Sequence, residues 1–84
     1  MPDALEPRVA AETLLGAFRS QAENLRPFDP AMQDDLVQEM ALAVLLETKS
    51  ATQNFFLTLA LWRARDFLRG EMREEEAKRH ATTL

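Results

Sequence analysis

The chain has no cysteine, one histidine, two glycines and four prolines in 84 residues, and each shortage closes off a class of protein. Without cysteine there is neither a disulfide framework nor a thiolate metal site. The single histidine, His80, lies in a polar C-terminal stretch. Zinc needs three or four donors, so His80 reads as solvated surface. No proline follows Pro30, and Gly70 is the only glycine after it, which leaves little to interrupt a helix over the rest of the chain. No apolar stretch approaches the roughly 20 residues that a membrane-spanning helix needs. The N-terminal Met-Pro-Asp-Ala-Leu-Glu-Pro-Arg carries acids where a secretory signal carries a basic stretch and an apolar core. A cytoplasmic protein with no membrane partner is the expectation. Catalytic machinery is equally scarce. There is no Gly-rich phosphate loop and no Ser/His/Asp set, and Asp34 and Asp35 as helix neighbours point about 100° apart, wrong for a shared carboxylate site. Neither an enzyme nor a cofactor is expected.

Apolar residues make up 46% of the chain and charged residues 29%, the balance of a soluble globular protein rather than a disordered one. One small domain over residues 1–84 is expected, with its core at about 7–73 and a polar tail at 74–84. The net charge of −4 is unevenly spread. Residues 1–62 hold four basic side chains against nine acids, a net of −5, whereas residues 63–84 hold six against five, a net of +1. The basic excess that a nucleic-acid-binding face needs is thus confined to Arg63, Arg65, Arg69 and Arg73, and affinity of the isolated domain for DNA should be weak.

Three helices follow from the pattern, and no strand alternation appears. Pro7 suits a first helical turn, and Val9, Leu14, Leu15, Phe18, Ala22 and Leu25 recur at spacings of three and four. Arg26-Pro27 ends this helix at about residue 25, because the residue before proline is pushed out of the α region. Asp29 caps a second helix that begins at Pro30 and runs to about 47, with Met32, Leu36, Val37, Met40, Val44 and Leu45 inward. Its Ala-Leu-Ala-Val-Leu-Leu end is apolar almost all round, which argues for burial on more than one side. After the polar break Glu47–Gln53, in which Ser50 and Gln53 have capping-box spacing, a third helix runs from about 51 to 69. The pairs Glu74–Lys78 and Glu75–Arg79 support its continuation past Gly70. Phe18, Leu36, Met40, Val44, Leu59 and Phe67 are expected to be the most buried side chains.

Two clusters carry the functional signal. Asp35, Gln38 and Glu39 fall at i, i+3 and i+4, on one helix face, and present two carboxylates and an amide to an arginine-bearing partner. Phe55, Phe56 and Trp62 precede Arg63, Arg65 and Arg69 on the third helix, and exposed aromatics beside arginines are the ordinary means of holding unpaired bases. The plain alternatives are a solvated helix face for the first cluster and a core helix for the second.

In this order, Asp35-Leu36-Val37-Gln38-Glu39 and then Arg63-Ala64-Arg65-Asp66-Phe67-Leu68-Arg69 resemble region 2 of bacterial RNA polymerase sigma factors, the extracytoplasmic-function group most of all. The likeness spans about Leu14 to Arg73. The first segment matches the family's Asp-Leu-Val-Gln-Glu letter for letter. The later family pattern, roughly Phe-x-x-Trp-Leu-x-x-Ile-Ala-x-Asn-x-Ala-x-Asp-x-Leu-Arg, is kept at Ala60, Ala64, Asp66, Leu68 and Arg69, with an aromatic at Phe55. Thr58 stands where the family carries a basic residue and Trp62 where it carries asparagine. The resemblance implies an all-α, three-helix bundle of the sigma region 2 type that acts in transcription initiation. Asp35, Gln38 and Glu39 would bind the β′ clamp helices of core RNA polymerase. Phe55, Phe56, Trp62, Arg63, Arg65 and Arg69 would lie against the melted non-template strand of the −10 promoter element. Lys49, Ser50 and Thr52 fall in the loop that captures a flipped base. The family also carries a second helical domain for the −35 element, so the chain is expected to be a fragment of a longer factor or a stand-alone region 2. Two other readings remain: a sigma mimic whose partner is a regulatory protein such as an anti-sigma factor, and a helical interaction module unconnected with transcription.

Overall fold

The computed structural model describes the backbone of residues 4–82 and the side chains of residues 4–70. The chain is all-α, with four helices among the described residues: α1 (Pro7–Thr13), α2 (Leu15–Leu25), α3 (Pro30–Leu45) and α4 (Gln53–Thr82). The first two are the single expected helix interrupted at one residue. Leu14 departs from helical geometry (φ −96°, ψ 6°), yet its N–H still donates to the Ala10 carbonyl and its own carbonyl accepts from the Phe18 N–H, each at 2.9 Å. At the other end Arg26 takes a non-helical φ of −137°, as its place before Pro27 requires.

The chain restarts where Asp29 accepts a hydrogen bond from the Met32 N–H at 3.2 Å, a side-chain cap with Pro30 as first helical residue. The next cap differs from the capping-box expectation. Ala51 exchanges two backbone hydrogen bonds with Leu5, of 2.8 and 3.1 Å, in an isolated antiparallel bridge. Residue 51 is therefore extended, and Thr52 rather than Ser50 caps α4, its Oγ1 accepting from the Phe55 N–H at 3.2 Å. The bridge ties the N-terminal segment to the α3–α4 connection.

α3 is the central element and touches α1, α2 and α4. Along α4 the residues Phe56, Ala60, Ala64 and Leu68 are buried, one row at i+4 spacing. They meet Leu36, Met40 and Val44 of α3, Phe18 and Ala22 of α2, and Leu14 between the first two helices in a single apolar core. Among the described residues no polar or charged side chain is buried, so the core is held by apolar burial and packing alone.

Several burial expectations are corrected. Leu59 and Phe67 are half-buried flanks, because α4 turns its Phe56–Leu68 row inward instead. Leu45 faces outward at 49% exposure, with Leu42 and Leu46 also exposed. Leu45 lines an open groove with Arg8, Ala11, Glu12, Leu15 and Ala41, so the apolar end of α3 is not buried all round. On the first two helices Val9 and Leu15 are exposed, and Ala10 and Ala11 take the core positions.

Truncation should sort these side chains clearly. Met40→Ala and Phe56→Ala should each lower the unfolding free energy by about 2–5 kcal/mol. Phe55→Ala, at a half-exposed ring, should cost under about 1 kcal/mol. Urea melts with unchanged m-values would measure all three.

Candidate functional site

The expected docking face lies on α3. Asp35 and Gln38 are exposed on its outer side, and Asp35 makes no ion pair with a described residue. Their neighbours are engaged internally. The Asp34 carboxylate accepts from Arg19 Nη1 of α2 at 2.6 Å. Glu39 faces α4, where its Oε2 accepts from Arg63 Nε at 3.1 Å and lies 2.9 Å from Arg63 Nη2. With Nη1 the same guanidinium donates to Asp66 Oδ2 at 3.2 Å. Glu39 is therefore not freely presented. Its side chain keeps 26% exposure against 42% for Arg63, and a cationic partner must compete with an arginine already seated there.

The expected nucleic-acid face divides. Phe56 is fully buried, with its ring edge-to-face against Phe55 at 5.6 Å between centroids. It belongs to the core and is unavailable for stacking in the folded state. Arg63 is turned to Glu39 and Asp66, which neutralise it locally. Phe55 and Trp62 are exposed, at 47% and 71%, and Arg69 is exposed as well. These three fall at i, i+7 and i+14, in line along the outer side of α4.

Beside that line an open groove of about 370 Å³ is bounded by Ala43, Leu59, Trp62, Arg63, Arg65, Asp66 and Arg69. Its size is at the low end for small-ligand sites. The lining brings Ala43, Leu59 and the Trp62 indole together with three arginines and the Asp66 carboxylate, a mixed apolar and cationic surface that suits a flat ring carrying a nearby negative charge. In the α3–α4 connection Lys49 and Ser50 are exposed, while the Thr52 hydroxyl is used as the helix cap.

Sequence reasoning missed the contact between Glu39 and Arg63. The two are separated by 24 positions, and no spacing rule links residues across a loop. His80, Arg73 and the pairs Glu74–Lys78 and Glu75–Arg79 lie outside the described side chains. Among the described residues no group of three or more His, Cys, Asp or Glu is placed to hold a metal ion, and no helix is long and apolar enough to cross a membrane. No family model, curated protein or solved structure matches the chain.

The interhelix pair is directly measurable. A double-mutant cycle of Glu39→Gln and Arg63→Gln should give a coupling of about 1 kcal/mol, the upper part of the range for partly exposed pairs. The coupling should shrink when thermal melts are repeated at 1 M salt.

Proposed function

We propose that this chain is a sigma factor region 2 module, a non-enzymatic, cytoplasmic component of transcription initiation. In this reading the outer side of α3 docks on the β′ clamp helices of core RNA polymerase. The outer side of α4 lies along the non-template strand of the −10 element. The observation that carries it is the placement of the two clusters. Asp35 and Gln38 face outward on α3, Phe55, Trp62 and Arg69 run in line along α4, and the groove with Ala43 and Trp62 on its walls spans the two helices. A domain that holds a protein with one surface and a single strand with the other needs both surfaces uncovered and adjacent.

Each residue then has a physical task. Asp35 and Gln38 accept and donate hydrogen bonds to arginines of the clamp, and Glu39 joins them when a partner guanidinium displaces Arg63. Trp62 and Phe55 stack on bases, while Arg65 and Arg69 neutralise phosphate. Phe56 supports Phe55 from the core and does not touch the strand.

One observation favours the second reading, a sigma mimic bound by a regulatory protein such as an anti-sigma factor. With Arg63 paired to Glu39 and Asp66, only Arg65 and Arg69 on the described part of α4 have no ion pair with a described residue, few for holding a phosphate backbone.

Binding assays with core polymerase and a single-stranded −10 oligonucleotide decide between the two. Asp35→Lys should reduce polymerase binding at least tenfold with an unchanged melting temperature. Glu39→Lys should also reduce binding, but with a loss of about 1 kcal/mol in stability, because it breaks the pair with Arg63. In the polymerase-bound state Trp62→Ala should weaken single-strand binding by about 1–3 kcal/mol. Removing Arg65 or Arg69 should flatten the salt dependence by about 0.7 each. Polymerase binding that survives both charge reversals overturns the assignment of Asp35 and Glu39 to the docking face. Polymerase binding without any effect of Trp62, Arg65 or Arg69 on the DNA strand moves the mimic ahead.

A further inference from the structure

Phe28 stands at the turn between α2 and α3, a residue 100% exposed with a φ of 68°. It is the only non-glycine residue with positive φ among those described. Bulky L-residues avoid this left-handed region for steric reasons, and glycine or asparagine is the usual occupant. Folding therefore gains nothing from phenylalanine here: the ring makes no buried contact, and the backbone would be easier with a smaller residue.

The turn that carries the ring is nevertheless tightly held. Pro27 and Pro30 restrict the chain on either side. Asp29 caps α3 through the Met32 N–H, and the Gln33 side chain donates to the Arg26 carbonyl at 2.9 Å. An aromatic ring held out on a rigid support loses little conformational freedom when a partner covers it, which is the condition for an anchor residue.

The charge around it narrows the partner. Of the acids between residues 23 and 39, Asp34 and Glu39 are paired with Arg19 and Arg63, which leaves Glu23, Asp29 and Asp35 against one base, Arg26. This local excess of carboxylates disfavours phosphate chains and anionic lipid as partners. We propose that Phe28 inserts into an apolar socket, rimmed by basic side chains, on the protein that docks on the outer side of α3. It extends that docking surface past the N-terminal end of the helix. The assignment rests on the reading of α3 as a polymerase-docking face.

The test uses the whole chain, core RNA polymerase as the probe, and the substitutions Phe28→Asn and Phe28→Leu. Phe28→Asn should raise the melting temperature by a degree or more, since asparagine tolerates positive φ, and at the same time weaken polymerase binding tenfold or more. Phe28→Leu, which keeps an apolar side chain, should retain binding within a few-fold of the parent. Parent and Phe28→Asn chains that bind polymerase equally would overturn the anchor while leaving the docking face intact. A parent chain that does not bind polymerase at all overturns both. A marked fall in melting temperature for Phe28→Asn would make the residue structural and refute the proposal. Loss of binding to a single-stranded oligonucleotide or to anionic phospholipid vesicles, with polymerase binding unchanged, would refute the choice of a protein partner.

Discussion

The packing of α4 on α3 is the contact on which the remainder of the molecule depends. It rests on a row in which two alanines, Ala60 and Ala64, lie between Phe56 and Leu68. Small side chains at consecutive i+4 positions let two helices approach closely, and Met40, Leu36 and Val44 occupy the space that remains. Once that row faces inward, helical geometry determines the rest of α4. Phe55, Trp62 and Arg69 turn outward, and Arg63 is carried round to the flank beside Glu39. A larger residue at position 60 or 64 would push the helices apart and rotate the outer surface with them.

The Glu39–Arg63–Asp66 cluster sits at the seam between the two candidate surfaces. It couples a residue expected to meet a protein with one expected to meet DNA, and each is withheld from its expected task by the other. Because the pair is only partly buried, its net worth is small, within reach of a competing guanidinium. The seam therefore holds the helices in register without locking either surface shut.

Exposed apolar side chains are common on any small domain, and only some of those here carry meaning. Leu42, Leu45 and Leu46 are exposed at the C-terminal end of α3, with Leu45 lining an open groove beside α1. Trp62 and Phe28 differ. Trp62 shares a groove with Arg65 and Arg69, and Phe28 occupies a backbone conformation that its side chain disfavours. In both cases the proposed interaction rests on the surroundings rather than on exposure itself.

Local chemistry alone was enough to place the helix ends at Pro7, Arg26 and Pro30 and the cap at Asp29, because proline stereochemistry and capping act within a few residues of chain. The buried Phe18, Leu36, Met40 and Val44, and the outward Asp35 and Gln38, were likewise legible from a 3.6-residue period. The α4 start was not, since it depends on a backbone bridge between Ala51 and Leu5, which are distant in sequence. Nor was the choice of Phe56 for the core and Phe55 for the surface: adjacent aromatics look alike in a helix that is apolar nearly all round, and only contact with α3 selects one of them. The pairing of Glu39 with Arg63 belongs to the same category. Periodicity says which residues share a face of one helix, but which face of the next helix it meets is settled by the packing of both, and that is a property of the tertiary structure.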